Sequence, residues 1–246
     1  MATNLPEKDS RSRSGPTRSA FGVAENMGDA ANKDQLDRLR DKILLLGGKT
    51  EMAVQKAMRA LTERNSELAR EVALSDKEID QMELEIDRLS IEIIAAQKPA
   101  AHDLRLVMSV AKITPILERI ADHATSIADA AVVLNNEPQV KSYIDFSHMA
   151  EIASAMLREA LDAFTAEDAD ASREIIRRDK LIDDCYHRVF DELIQTMINE
   201  PSAANGAARL LFVAKNLERI GDYVKDICEL NVYLREAVFI KHSSNF

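Results

Sequence analysis

The chain has 246 residues, 46% of them hydrophobic, with no Trp, seven Gly and six Pro. That length holds one large domain or two small ones, and so few turn-forming residues suit long helices better than a sheet protein. With 42 acidic against 32 basic residues the net charge is -10, which argues against a nucleic-acid or anionic-membrane surface and makes cations the natural small partners.

Residues 1–32 scatter Pro6, Gly15, Pro16, Gly22 and Gly28 among Ser and Arg with no apolar period, and are expected to form a disordered tail. They lack the apolar stretch of a secretory signal, and no run in the chain approaches the ~18 apolar residues of a membrane span. A soluble, cytoplasmic protein, peripheral to a membrane at most, is the expectation. From Lys33 the apolar residues Leu36, Leu39, Ile43 and Leu46 open a helix reaching about Leu61, in which Gly47-Gly48 marks a bend or a close helix contact. A second helix over 66–97 carries the stripe Leu68, Val72, Ile79, Met82, Ile86, Leu89 and Ile93, and Pro99 closes it. A third covers 103–134, with Pro115 inside it, and ends at the turn cluster Asn135-Asn136-Glu137-Pro138.

The pattern then repeats, with helices expected over 147–165, 169–198 and 203–237. Arg70-Glu71-Val72 aligns with Arg173-Glu174-Ile175, and Asp76-Lys77-Glu78-Ile79-Asp80 with Asp179-Lys180-Leu181-Ile182-Asp183, both at a spacing of 103 residues. Such spacing marks an internal duplication. The fold class is therefore all-α, two tandem three-helix bundles over 33–135 and 147–237, joined by a linker at 136–146 and followed by a tail at 238–246. Each bundle is expected to own its core, so that cutting between Leu134 and Ser147 leaves two helical halves. Cys185 and Cys228 read as small core hydrophobes.

Each half carries two acidic pairs at i, i+4: Asp76/Asp80 and Glu118/Asp122 in the first, Asp179/Asp183 and Glu218/Asp222 in the second. This spacing sets both carboxylates of a pair on one helix face, ~5–6 Å apart at Cβ. Two such helices side by side gather oxygens that repel one another unless a cation joins them, and an all-oxygen set suits Mg, Mn, Fe or Ca better than a structural zinc. A lone pair means little in so acidic a chain; only the duplication counts. The plain alternative stays open, because Glu118 and Asp122 lie off the stripe of Ile113, Leu117, Ile120, Ala124 and Ile127, on an outer face where solvated acids are ordinary. His123 has Tyr223 as its counterpart and reads as a surface histidine before a ligand or phosphoryl acceptor. Arg119 and Arg219 read as partners of neighbouring acids.

These residues are where the chain resembles the PhoU family, accessory regulators of the phosphate-specific ABC transporter. The family's ERIGD hallmark stands here as Glu118-Arg119-Ile120-Ala121-Asp122 and as Glu218-Arg219-Ile220-Gly221-Asp222. Pro99 with Asp103-Leu104-Arg105, Lys112-Ile113, Met149-Ala150-Glu151 and Ala160-Leu161-Asp162-Ala163-Phe164 also match. Departures are Ala121 for Gly, Ser126 for Asn, and Tyr223 with Asp226 where His and Asn are common; Asp226 and Glu229 add acids there. The resemblance implies two three-helix bundles, a homodimer, and metal clusters held by the eight acids Asp76, Asp80, Glu118, Asp122, Asp179, Asp183, Glu218 and Asp222, with divalent or trivalent Fe, Mn, Mg or Zn as the ion. It also implies a non-catalytic role, restraining phosphate-starvation signalling through the transporter's ATPase subunit and a sensor histidine kinase. Two other readings compete. A carboxylate-bridged di-metal oxidase needs paired Glu-x-x-His motifs, and none of the five His follows a Glu by three. A His phosphotransfer protein would use His123.

Overall fold

A computed structural model describes the backbone of residues 19–240, and the side chains from Lys33 onward except that of Ile144. Six long helices run in order: α1 (Ser19–Thr62), α2 (Ser66–Gln97), α3 (Ala101–Leu134), α4 (Ile144–Ala166), α5 (Ala169–Asn199) and α6 (Ala204–Glu236), with a 3-10 turn at Pro201–Ala203. Their ends follow local chemistry. Asn65 caps α2 by accepting from the Glu67 and Leu68 amides, and Asp168 caps α5 by accepting from those of Asp170 and Ala171. At the other ends Lys98, Glu167 and Ala237 turn the chain into the left-handed region, with φ of 47°, 50° and 59°.

The boundary that differs most from the sequence expectation is that of the first helix, while α4 starts at Ile144, three residues before the expected 147. The first helix begins at Ser19, not at Lys33, so the stretch 19–32 continues α1, and residues 1–18 lie outside the described residues. Ala20, Ala24, Met27, Ala30 and Ala31 are good helix formers, and they outweigh Gly22 and Gly28, two of the residues on which the tail reading rested.

Within each repeat three consecutive helices pack together, α1 with α2 and α3, and α4 with α5 and α6. The repeats then join along two seams, α3 on α6 and α1 on α4. This corrects the expectation of separate cores, because Leu39, Ile86, Leu117, Phe146, Leu193 and Leu217 all belong to one continuous buried cluster. The sequence patterning explains it. Beyond its main stripe, α3 also buries Val107, Thr114, Ala121 and Ala128 at heptad spacing, and α6 buries Ala207, Ala214, Gly221 and Cys228 at the matching positions. Helices buried on more than one face sit at the centre of a bundle. Gly47 serves as the close contact anticipated for it, since a Cβ there would fall 2.4 Å from Cδ1 of Leu161 on α4.

The inter-repeat linker is pinned at both ends. The Arg64 guanidinium donates to the carbonyls of Leu134, Asn135 and Glu137 at 3.2, 2.7 and 2.6 Å, and Val140 packs on Gly206, where a Cβ would meet it at 2.6 Å. Pro115 sits inside α3 without ending it. Both cysteines are buried and free, as a core reading requires.

Candidate metal centre

The second and third helices of each repeat lie side by side, so their acidic pairs face a common groove. In the first repeat Glu118 is half-buried, while Asp80 and Asp122 are exposed. Burial pushes the Glu118 carboxyl up to about 7, helped by the negative charges of Asp122, Glu83, Asp80 and Asp76. Asp76 is also raised, by burial and then by Asp80, Asp122 and Asp129, against a hydrogen bond from Thr125 Oγ1 at 3.3 Å. The same field lifts Glu83, where burial comes first, then Asp87, Asp80 and Asp122, with Arg119 opposing. Among the described residues no Lys or Arg forms an ion pair with Asp76, Asp80, Glu118 or Asp122. The four predicted acids of this repeat are therefore brought together, and Glu83, Asp87 and Asp129 join them. Those three extend each pair along the same face at i+7 and i+11, a continuation that a search for i, i+4 pairs passes over.

The second repeat places the equivalent acids differently. Asp179 is buried at 4% exposure, unlike the exposed Asp80 and Asp122 of the first repeat. The Lys225 ammonium donates to Asp179 Oδ2 at 2.6 Å and to Asp222 Oδ1 at 2.9 Å, bridging α5 and α6. Burial opposes the charge on Lys225, but its bonds to the two carboxylates outweigh that and raise its pKa. Burial also raises Asp179, partly offset by the hydrogen bond and charge of Lys225. Arg219 reaches Asp222 at 3.4 Å and Lys215 reaches Glu218 at 2.6 Å, so the arginine does pair with neighbouring acids. Where the first repeat has Glu83 and Asp87, the second has Tyr186 and Phe190.

Gly221 explains how Asp179 gets so deep. A Cβ at that position would lie 2.8 Å from Asp179 Oδ1 and 2.8 Å from Ile182 Cδ1, whereas the first repeat has Ala121 there and a less buried Asp76. Gly221→Ala should therefore destabilise the protein by about 1–3 kcal/mol despite the better helix propensity of Ala, because overpacking dominates. Urea denaturation measures this; an unchanged or higher midpoint would show that α5 yields freely.

The donor chemistry decides what each groove suits. Among the described residues no three His, Cys, Asp or Glu side chains form a ready-made ligand set. In the first repeat, however, carboxylates that raise one another's pKa and lack a basic partner are what an oxygen-seeking divalent ion neutralises. The second groove does not fit such an ion in the same way, since an ammonium already spans Asp179 and Asp222.

His123 is not a free surface histidine. Its Nδ1 lies 2.6 Å from Asn216 Oδ1, and its ring stacks on Tyr223 with centroids 5.5 Å apart. Equivalent positions of the two repeats thus meet face to face where α3 crosses α6.

An internally duplicated six-helix protein, with an acidic groove between the second and third helix of each repeat, is the class these features define. A PhoU domain model matches it twice, over residues 43–131 and 146–230, and the chain belongs to the PhoU family. It is 37% identical over 209 residues to a phosphate-specific transport system accessory protein PhoU homolog of Pseudomonas putida, covering 85% of this chain and 82% of the relative. It is 32% identical to the phosphate-specific transport system accessory protein PhoU of Escherichia coli strain K12, over 85% of this chain and 86% of that one. The crystal structure of PhoU from Pseudomonas aeruginosa superposes with a TM-score of 0.81 at 36% identity, covering 84% of this chain and 99% of that one. The phosphate transport system regulatory protein PhoU of Streptococcus pneumoniae gives 0.80 at 29% identity, over 85% and 98%.

Proposed function

We propose that this chain is a non-catalytic accessory regulator of a phosphate transport system that binds a divalent or trivalent metal through its first-repeat carboxylates. In this reading it works in the cytoplasm as a homodimer, between the ATPase subunit of a phosphate ABC transporter and a sensor histidine kinase, and restrains starvation signalling when phosphate is plentiful. Among the described residues no helix is long and apolar enough to cross a membrane, which is compatible with a protein that docks on membrane partners from one side. Family membership supports the transport setting, and the relatives named above carry that role in their names.

The observation that carries the metal reading is the first-repeat groove, where its own burial and then the like charges around it push the Glu118 carboxyl up to about 7 with no basic partner to offset them. Bound there, an ion would supply the missing positive charge and tie α2 to α3; Asp76, Asp80, Glu118 and Asp122 would hold it, with Glu83 and Asp129 alongside. The phosphotransfer alternative is weakened because His123 is half-buried with its ring stacked on Tyr223.

The test is Glu118→Gln/Asp122→Asn. Titration of Mn(II) and Fe(II) into this variant should show metal lost relative to the parent, and cells carrying it should show derepressed output from a phosphate-starvation reporter in rich phosphate. Undiminished metal would remove the site assignment. Metal loss with unchanged reporter output would separate the site from signalling.

A further inference from the structure

We propose that Lys225 is a built-in cation that takes the metal's place in the second repeat, so that each chain offers one metal-capable groove instead of two. The inference rests on the metal reading above for the first repeat, and departs from it for the second.

The two grooves can be compared position by position. Asp76 and Asp179 are equivalents, as are Asp122 and Asp222, and each pair spans the second and third helices of its repeat. Between them the first repeat has Thr125, a neutral hydroxyl 3.3 Å from Asp76 Oδ1. The second has Lys225, whose Nζ lies 2.6 and 2.9 Å from oxygens of both aspartates. A primary ammonium at these distances satisfies lone pairs a metal would need, and its charge would repel a divalent ion placed on the same oxygens.

Three further differences point the same way. Glu218 is paired with Lys215 at 2.6 Å, and Asp222 with Arg219 at 3.4 Å, so the second groove holds its own positive charge on every side of the α6 pair. The two acids that extend the first groove on α2 are replaced by Tyr186 and Phe190, and Lys215 lies over the Tyr186 ring, 5.2 Å from its centroid. Finally, Asp179 is buried against Gly221 with its Oδ1 unpartnered, a depth at which a carboxylate needs a counter-ion from the protein itself if the fold is to stand without metal. The chain thus has one groove whose charge balance depends on an external ion and one that carries its own.

The experiment uses the full chain, stripped with chelator and titrated with Mn(II), bound metal being read by electron paramagnetic resonance and elemental analysis, and folding by circular dichroism. Asp179→Asn should leave manganese stoichiometry unchanged from the parent, and Glu118→Gln/Asp122→Asn should lose the manganese the parent binds. Adding Lys225→Thr or, as a second variant, Lys225→Gln to Glu118→Gln/Asp122→Asn should restore manganese binding, and adding Asp179→Asn should remove it again. Manganese that survives Glu118→Gln/Asp122→Asn but falls with Asp179→Asn would overturn the proposal, because the second groove would then bind metal with Lys225 in place. Folded Lys225 variants that gain no manganese would overturn it as well. A parent that binds no manganese while the Lys225 variants gain it would uphold the role of Lys225 and defeat the first-repeat reading instead.

Discussion

Expressed as separate chains cut between Leu134 and Ser147, the two halves should each lose cooperative unfolding, and mixing them should restore one sharp transition. The reason lies in the seams. α3 packs on α6 and α1 on α4, and residues of both repeats share one buried cluster. Polar contacts cross the divide too: Arg105 Nε donates to the Leu234 carbonyl at 3.1 Å, and Arg158 Nε to Glu51 Oε1 at 3.1 Å. Uncovering a buried Leu or Ile costs about 1.5–3 kcal/mol, so exposing a handful consumes the 5–15 kcal/mol by which a typical domain is stable. Circular dichroism melts of each half and of their mixture, with sedimentation to detect a one-to-one complex, provide the check. Two halves that melt as sharply alone as together would mean that each repeat sustains its own core.

The helices themselves were legible because several of their boundaries have a local chemical cause. Asn65 and Asp168 are side-chain caps, Pro99 and Pro201 cannot continue a helix, and the expected 66–97 helix is α2 as observed. What periodicity does not carry is which neighbour a second buried face meets. The small residues Ala121, Ala128, Ala207, Ala214 and Gly221 were visible, but a stripe of small side chains is as compatible with a partner in the same repeat as with one in the other. How the linker is held was not legible for a similar reason, since Arg64 reaches across 71 residues of sequence to the Asn135 carbonyl.

In the grooves, the duplicated i, i+4 acids lie on helices that pack side by side, while the balance of charge between the repeats escaped the pattern. Asp222 and Lys225 stand three apart, a spacing at which helix neighbours touch, so the pairing with Asp222 was readable. The longer reach of Lys225 to Asp179 on α5 was not, because it depends on the depth that Gly221 permits.

In the presence of chelator, the protein should lose stability as the pH rises from about 5 to 8, and Glu118→Gln should remove much of that loss. The Glu118 carboxyl titrates at about 7 in the folded chain, against an ordinary 4.5. Between those values the folded state binds the proton that the unfolded state has released, so stability present below the unfolded pKa is lost as pH climbs through the folded one. The groove is partly open to solvent, and screening brings the expected loss to the order of 1–2 kcal/mol. Asp76 and Glu83, raised by burial and by the same cluster, add in the same direction. Acids held low by basic partners, such as Glu78 with Lys49 and Glu85 with Lys42, work oppositely. Their contribution is lost below the ordinary carboxylate range, which is why the comparison starts near pH 5. Urea denaturation in chelator at pH 5 and pH 8 should therefore show a fall for the parent and a smaller fall for Glu118→Gln, with the variant the more stable of the two at pH 8. Mn(II) should close that gap at pH 8 by stabilising the parent alone, because only there does an ion meet an ionised Glu118. Equal pH slopes for parent and variant would mean that Glu118 is solvated like any surface acid, and that the groove needs no external charge.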